Sequence, residues 1–290
     1  KEEKQIFQFE YYKEHYWDNV DFTDERILKT PIFFNKMDTY LNKLTVQHPD
    51  SISKSADVIA ILSRQNKDIF QYVVSYITST YERSKIMGMD AIFVHMVENY
   101  YMTGEADWVK EKQLEKIEER AEKIAPNLIG RPSPPFLNQL GMPFMKDTNG
   151  IIHKLYDVEA KYTLLIFFGP DCGHCKKELP KVKKVVDSLT AAPKFLSSHK
   201  SVDVKVYAVQ TEFDKKKWEK FIINQGIGDW INVGDILEDP DGNPAASSNW
   251  RDQYDIYSTP VIYLLDKDKK ILAKRISYKQ ISEIIKRLEK

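Results

Sequence analysis

Tyr162-Thr163-Leu164-Leu165-Ile166-Phe167-Phe168 runs directly into Gly169-Pro170-Asp171-Cys172-Gly173-His174-Cys175. The first seven residues are apolar, aromatic or β-branched, a short run that predicts a strand buried on both faces. From Cys175 to Leu189, the residues Leu179, Val182, Val185, Val186 and Leu189 recur at helical spacing, so a helix is expected. Cys172 and Cys175 therefore stand at a strand-to-helix junction. A cysteine at a helix start sits beside unpaired backbone N–H groups and the positive end of the helix dipole. Both favour the thiolate, the nucleophilic form. A spacing of three brings the second cysteine within disulfide reach. In this arrangement Cys172 attacks a substrate disulfide and Cys175 resolves the mixed disulfide. Cys175 lies inside the first turn and is expected to be the less exposed of the two. His174, between them, would favour the thiolate further when protonated and make the pair more oxidising. The plainer reading is an exposed histidine of little effect. A structural disulfide or two inert thiols is the alternative for the pair itself, but the strand–CxxC–helix context points to redox chemistry.

Outward from this junction, strands and helices alternate. Asn149-Gly150 signals a tight turn between two short extended segments. Strands are expected at Val202–Val209, Trp230–Val233, Val261–Leu265 and Ile271–Ala273, and helices at Lys215–Asn224, Asn249–Tyr254 and Lys279–Leu288. Interleaved strands and helices imply an α/β sheet, mixed because a short turn joins the last two strands. Residues 1–125 read differently, as an all-helical domain. Thr30-Pro31 is a cap with Pro at the first helical position, followed by Phe33, Phe34, Met37, Tyr40, Leu41 and Leu44. Pro49 opens a second stretch, and Phe70, Val73, Val74 and Ile77 form a third stripe. Ile92, Val94, Met96 and Val97 form a fourth, and Asp107–Ala125 a charged amphipathic helix. Between the halves, residues 126–135 are rich in proline, which removes donors and disfavours helix in the residue before it. This segment is expected to be a linker, with the second domain spanning 136–290.

Two domains fit a length of 290 residues. The 43 basic and 43 acidic residues cancel, so neither nucleic acid nor an anionic membrane surface is indicated as a partner. No apolar run approaches the ~20 residues of a transmembrane helix. The start, Lys1-Glu2-Glu3-Lys4, has no apolar core behind it and no initiator Met, as expected of a mature form. Only two cysteines are present, which excludes a scattered disulfide framework. A zinc site usually needs two such pairs; His153 and His174 could complete a site in principle, but no metal is expected. No cofactor is implied.

From Gly130 onward the chain resembles the thioredoxin superfamily, and within it the bacterial envelope thiol-disulfide oxidoreductases used in cytochrome maturation. Leu165 to Pro180, with its Cys-Lys-Lys-Glu-Leu-Pro phrase, carries one half of the likeness; Tyr257 to Asp266 carries the other. The resemblance implies an α/β thioredoxin-like fold, a mixed central sheet flanked by helices, preceded by the all-α domain. It also implies that Pro260 is cis and packs by the cysteines, leaving the backbone of Thr259 to pair with an extended substrate. Glu178 matches a glutamate that influences the active cysteines in those relatives; a carboxylate near a thiolate raises its pKa and can shuttle protons. The plainer reading is a solvated helix glutamate near Lys181. Some positions depart from the pattern. Ile166 replaces thioredoxin's buried aspartate, so proton transfer must use another group, and Asp171 replaces its tryptophan. The interval from Cys175 to Pro260 is long, and the usual glycine after Asp266 is missing. Tyr16 to Arg26 with Thr30-Pro31 resembles a helical domain of unassigned function found ahead of redoxin domains in envelope proteins.

The activity implied is thiol-disulfide exchange with protein disulfide or dithiol substrates and a redox partner thiol protein. It would lie in the periplasm or anchored to the envelope, under the headings of antioxidant activity and cell redox homeostasis. Two alternatives stand beside it. A peroxiredoxin-type peroxidase would want a threonine where Gly169 stands. A partner-binding module would use the redoxin half as a scaffold.

Overall fold

The computed structural model describes residues 2–138, 140–191, 201–212, 214–235, 237–238, 244–245 and 250–290. The chain divides into two compact units, Lys1–Ala125 and Pro126–Lys290.

The first unit is helical: α1 (Glu2–Glu14), α2 (Pro31–Asn42), α3 (Pro49–Ser63), α4 (Lys67–Glu82), α5 (Asp90–Met96) and α6 (Glu111–Ile124). α2 and α3 each carry Pro at the head, where its missing N–H costs nothing. Their caps lack side-chain hydrogen bonds; Thr30 Oγ1 donates to the Ile27 carbonyl instead. α4 is capped by Asn66, whose side chain accepts the N–H groups of Asp68 and Ile69. The core gathers Met37, Ile52, Ile59, Val73, Ile77, Ile92 and Met96. Tyr16, Trp17 and Phe22 join it, with Trp17 edge-on to Phe33 and Tyr40. α5 continues into a single π turn, Val97–Tyr101, closed by Met102 N–H on the Val97 carbonyl. The last helix starts at Glu111, four residues after the expected Asp107, because residues 107–109 turn and Lys110 is extended.

The second unit holds a five-stranded mixed sheet. Its strands are β1 (Tyr162–Phe168), β2 (Val204–Gln210), β3 (Ile231–Gly234), β6 (Val261–Leu265) and β7 (Ile271–Lys274), in the order β3-β2-β1-β6-β7. The short strands β4 (Leu237–Glu238) and β5 (Pro244–Ala245) pair separately. β1 runs parallel to β2 and antiparallel to β6. It is buried along its whole length because both faces are covered. Leu164, Ile166 and Phe168 face a core shared with Leu179, Val182, Trp218 and Ile281. Leu165 and Phe167 face the other, with Phe136, Met145, Trp250 and Tyr254. The helices are α7 (Gly173–Thr190), α8 (Lys215–Gln225), α9 (Trp250–Gln253) and α10 (Tyr278–Leu288). Asn249, at the head of the helix expected over Asn249–Tyr254, lies outside the described residues. α8 ends on Gly226 in the left-handed conformation, where a Cβ would be strained.

The proline-rich segment is not a free linker. Gly130 N–H donates to the Ile271 carbonyl, Ile271 N–H to Arg131, and Ser133 N–H to Lys269, so the segment docks along β7. Ser133 is fully buried and its hydroxyl meets Tyr254 Oη at 2.7 Å. Prolines tolerate an edge position because they have no N–H to pair there. Composition alone could not reveal that the remaining donors find a sheet edge.

Candidate functional site

Cys172 is the residue that caps α7: it is extended, and its Sγ accepts the Cys175 N–H at 3.1 Å. The sulfur occupies the place an Asn or Ser oxygen takes at an ordinary helix start. Across the site, the thiol donates to the Thr259 carbonyl oxygen at 3.2 Å. The strand β1 delivers the loop to the sheet's end, and the strand β6 brings Thr259-Pro260 beside it. The Thr259–Pro260 peptide bond is cis. Cys175 is fully buried, Cys172 half-buried, and both are free thiols 2.6 Å apart.

The two thiols are electrostatically unequal. Burial works against ionising Cys172, but hydrogen bonds with Cys175 and Thr259 and from the N–H groups of Cys175 and His174 outweigh it, so its pKa lies below the ordinary thiol value. Burial pushes Cys175 up to about 12, with its hydrogen bond to Cys172 and repulsion from that sulfur adding to the rise. The two thiols are thus shifted in opposite directions, Cys172 towards the thiolate and Cys175 towards the protonated form.

His174 is exposed. Its backbone N–H supports Cys172. Among the described residues, no hydrogen bond or ion pair engages its ring. Glu178 is half-buried, and its Oε1 accepts the N–H of Tyr278, the first residue of α10, at 2.9 Å. The carboxylate therefore ties α7 to the C-terminal helix, a partner neither reading of the sequence included. Lys181 lies over the Tyr278 ring, 4.9 Å from its centre.

Sequence reasoning missed the residues that follow β2. In the parallel pair, Phe168 is opposite Gln210, so the loops leaving both strands emerge side by side. Thr211 N–H donates to the Phe168 carbonyl, and Glu212 Oε1 accepts the Asp171 N–H at 3.1 Å. Lys217 Nζ meets Asp171 Oδ2 at 2.6 Å and holds that carboxyl below the usual carboxylate range. Arg251 donates to the Thr211 carbonyl and stacks over Trp250. The signal lay in the topology: adjacent parallel strands place their C-terminal loops at one edge, the usual place for sites in such sheets. Among the described residues, no group of three His, Cys, Asp or Glu side chains is placed to hold a metal ion.

The fold and this junction define a thioredoxin-like protein. Over 96% of the chain it is similar to the crystal structure of a thioredoxin-like protein from Bacteroides caccae, covering 92% of that chain with a TM-score of 0.63 at 20% identity. It is also similar to a domain of a possible thiol-disulfide isomerase from Cytophaga hutchinsonii, at 36% identity over 56% of this chain and 93% of that one, with a TM-score of 0.43. A further likeness is to the thioredoxin domain of a thiol-disulfide oxidoreductase from Bacteroides vulgatus, at 23% identity over 55% of this chain and 96% of that one, with a TM-score of 0.41. No curated protein matches the sequence. The second unit has a thioredoxin-like fold. Residues 4–127, ahead of it, match the family described as Domain of unknown function (DUF5106).

Proposed function

We propose that the protein is a thiol-disulfide oxidoreductase that exchanges disulfides with protein substrates through Cys172 and Cys175 in the bacterial cell envelope. The observation that carries this reading is the division between the thiols: Cys172 caps a helix and is eased towards thiolate, while Cys175 is buried and held protonated. The Cys172 thiolate attacks one sulfur of a substrate disulfide. A new S–S bond forms, the substrate bond breaks, and one substrate thiolate leaves. Cys175 then loses its proton and attacks the Cys172 sulfur, releasing the second substrate thiolate and leaving a Cys172–Cys175 disulfide. Two electrons pass from the protein to the substrate, and a partner thiol protein restores the dithiol by the reverse steps. In this reading an extended peptide aligns its own N–H with the Thr259 carbonyl, whose oxygen is 3.2 Å from the Cys172 sulfur.

The sequence resemblance to the envelope oxidoreductases supports envelope residence as part of this reading; among the described residues, no helix is long and apolar enough to cross a membrane. A peroxidase of the peroxiredoxin type is disfavoured. Gly169 supplies no hydroxyl where such enzymes carry a threonine, and Cys175 stands only three residues from Cys172. The test is reduction of insulin disulfides by the full chain against peroxide consumption. Cys172→Ser should abolish insulin reduction, and Cys175→Ser should accumulate a mixed disulfide. Insulin reduction by Cys172→Ser at the wild-type rate would end this reading.

A further inference from the structure

No acidic group underlies the reactive pair at the position thioredoxin uses, because Ile166 stands there, fully buried in the same core as Cys175. A carboxylate reaches the site from the side instead. Glu212 lies just past the end of β2, and its Oε1 accepts the N–H of Asp171, the residue before Cys172. Its own N–H is held at 2.8 Å by the side-chain oxygen of Gln210, which is itself buried at the end of the strand. Gly169 makes the approach possible. A Cβ at that position would lie 2.3 Å from Glu212 Oε1 and 3.5 Å from the Cβ of Cys172, so carboxylate and cysteine flank one glycine.

We propose that Glu212 is a positioning residue for Cys172: its carboxylate fixes the Gly169–Cys172 turn and sets the charge beside the attacking sulfur. This rests on the reading of Cys172 as the redox nucleophile. The other charged and titratable groups on this side are few. Asp171 and Lys217 pair with each other at 2.6 Å, Lys176 acts on Asp171 from the helix, and His174 is exposed. Lys217 feels Asp171, Asp214 and Glu212 together, so one ammonium serves three carboxylates, and Arg251 reaches the Thr211 carbonyl beside Glu212. The negative charge of Glu212 opposes the helix-start N–H groups. It disfavours the Cys172 thiolate, hence the reduced form, and makes the pair a stronger reductant than a neutral residue would. The sequence offers Glu178 as the group that influences the cysteines, but that carboxylate is engaged at the start of α10.

Glu212→Gln tests this in the full chain, because the amide oxygen still accepts the Asp171 N–H while the charge is gone. Two quantities are read: the pH dependence of Cys172 alkylation, and the equilibrium with a glutathione buffer. The variant should carry about three- to tenfold more thiolate at a pH below its midpoint, as expected for removing one partly screened charge. The glutathione equilibrium should move towards the reduced protein by a similar factor. Gly169→Ala is the second variant. Its Cβ needs the place of the carboxylate, the far end of a flexible side chain, so the carboxylate should swing away and the titration should move in the same direction. An unchanged titration in both variants, or movement the other way, overturns the proposal. The alkylation is readable whether or not the protein turns over a disulfide. An inactive wild type would therefore count against the redox reading, while the titration still decides the role of Glu212.

Discussion

Cys172 and Cys175 are the same residue type three positions apart, yet their surroundings separate them. Cys172 receives backbone N–H groups at a helix start, whereas Cys175 is enclosed by the sheet core. Alkylation by iodoacetamide should report this directly, since only the thiolate reacts. The sign is that of an acid whose folded pKa is depressed: Cys172 should ionise earlier than a free thiol. Its alkylation should rise with pH to half its plateau below about 8.5, the free-cysteine value. Cys175, pushed up to about 12, should stay unmodified across the same range. Mass spectrometry of peptides from the reduced protein would assign the site, and faster labelling of Cys175 would reverse the order of attack.

At the scale of elements, the junction of α7 with α10 rests on one side-chain carboxylate. Glu178 puts a carboxylate on the first N–H of α10, where unpaired donors and the helix dipole both favour negative charge. Ser277 and Gln280 complete the same helix start with a capping box. Glu178→Ala leaves the Tyr278 donor without this partner and should destabilise the second unit by about 0.5–2 kcal/mol, the range for loss of a helix cap. Glu178→Gln keeps an acceptor and should lose less. Urea unfolding of the two variants would measure it. Equal stability of Glu178→Ala and wild type would mean that water replaces the bond. The position was legible from the sequence as a glutamate one turn beyond Cys175. Its partner was not, because Tyr278 lies 100 residues further on and is brought there by the packing of α10 on α7.

For the whole molecule, each unit carries its own core, so the second unit should stand alone. Residues 126–290 made separately should fold, shown by circular dichroism, and Cys172 should titrate as it does in the full chain. A shifted titration would mean that the helical unit acts on the site. Where the cut is made should matter. Starting at Phe136 removes the bonds of Gly130 and Arg131 to Ile271 and of Ser133 to Lys269, and leaves Tyr254 without its Ser133 partner. That shorter piece should be less stable than 126–290, since a buried hydroxyl and an open sheet edge lose their partners.

What the sequence determined by itself was local. The run from Tyr162 to Phe168 makes a buried strand, Cys172 begins a helix, and Pro31 and Pro49 open helices, because each depends on neighbours within a few residues. The strand–CxxC–helix junction carried the fold class and the two cysteines with it. Tertiary structure decided the rest. The parallel pairing of β1 and β2 places Glu212 against Gly169, and the packing of α10 on α7 takes Glu178 to Tyr278. Residues 126–135 became an edge of the unit they were expected only to precede. Each of these contacts joins segments far apart in the chain. Periodicity and propensity describe how a segment folds, but not which distant backbone will satisfy its hydrogen bonds.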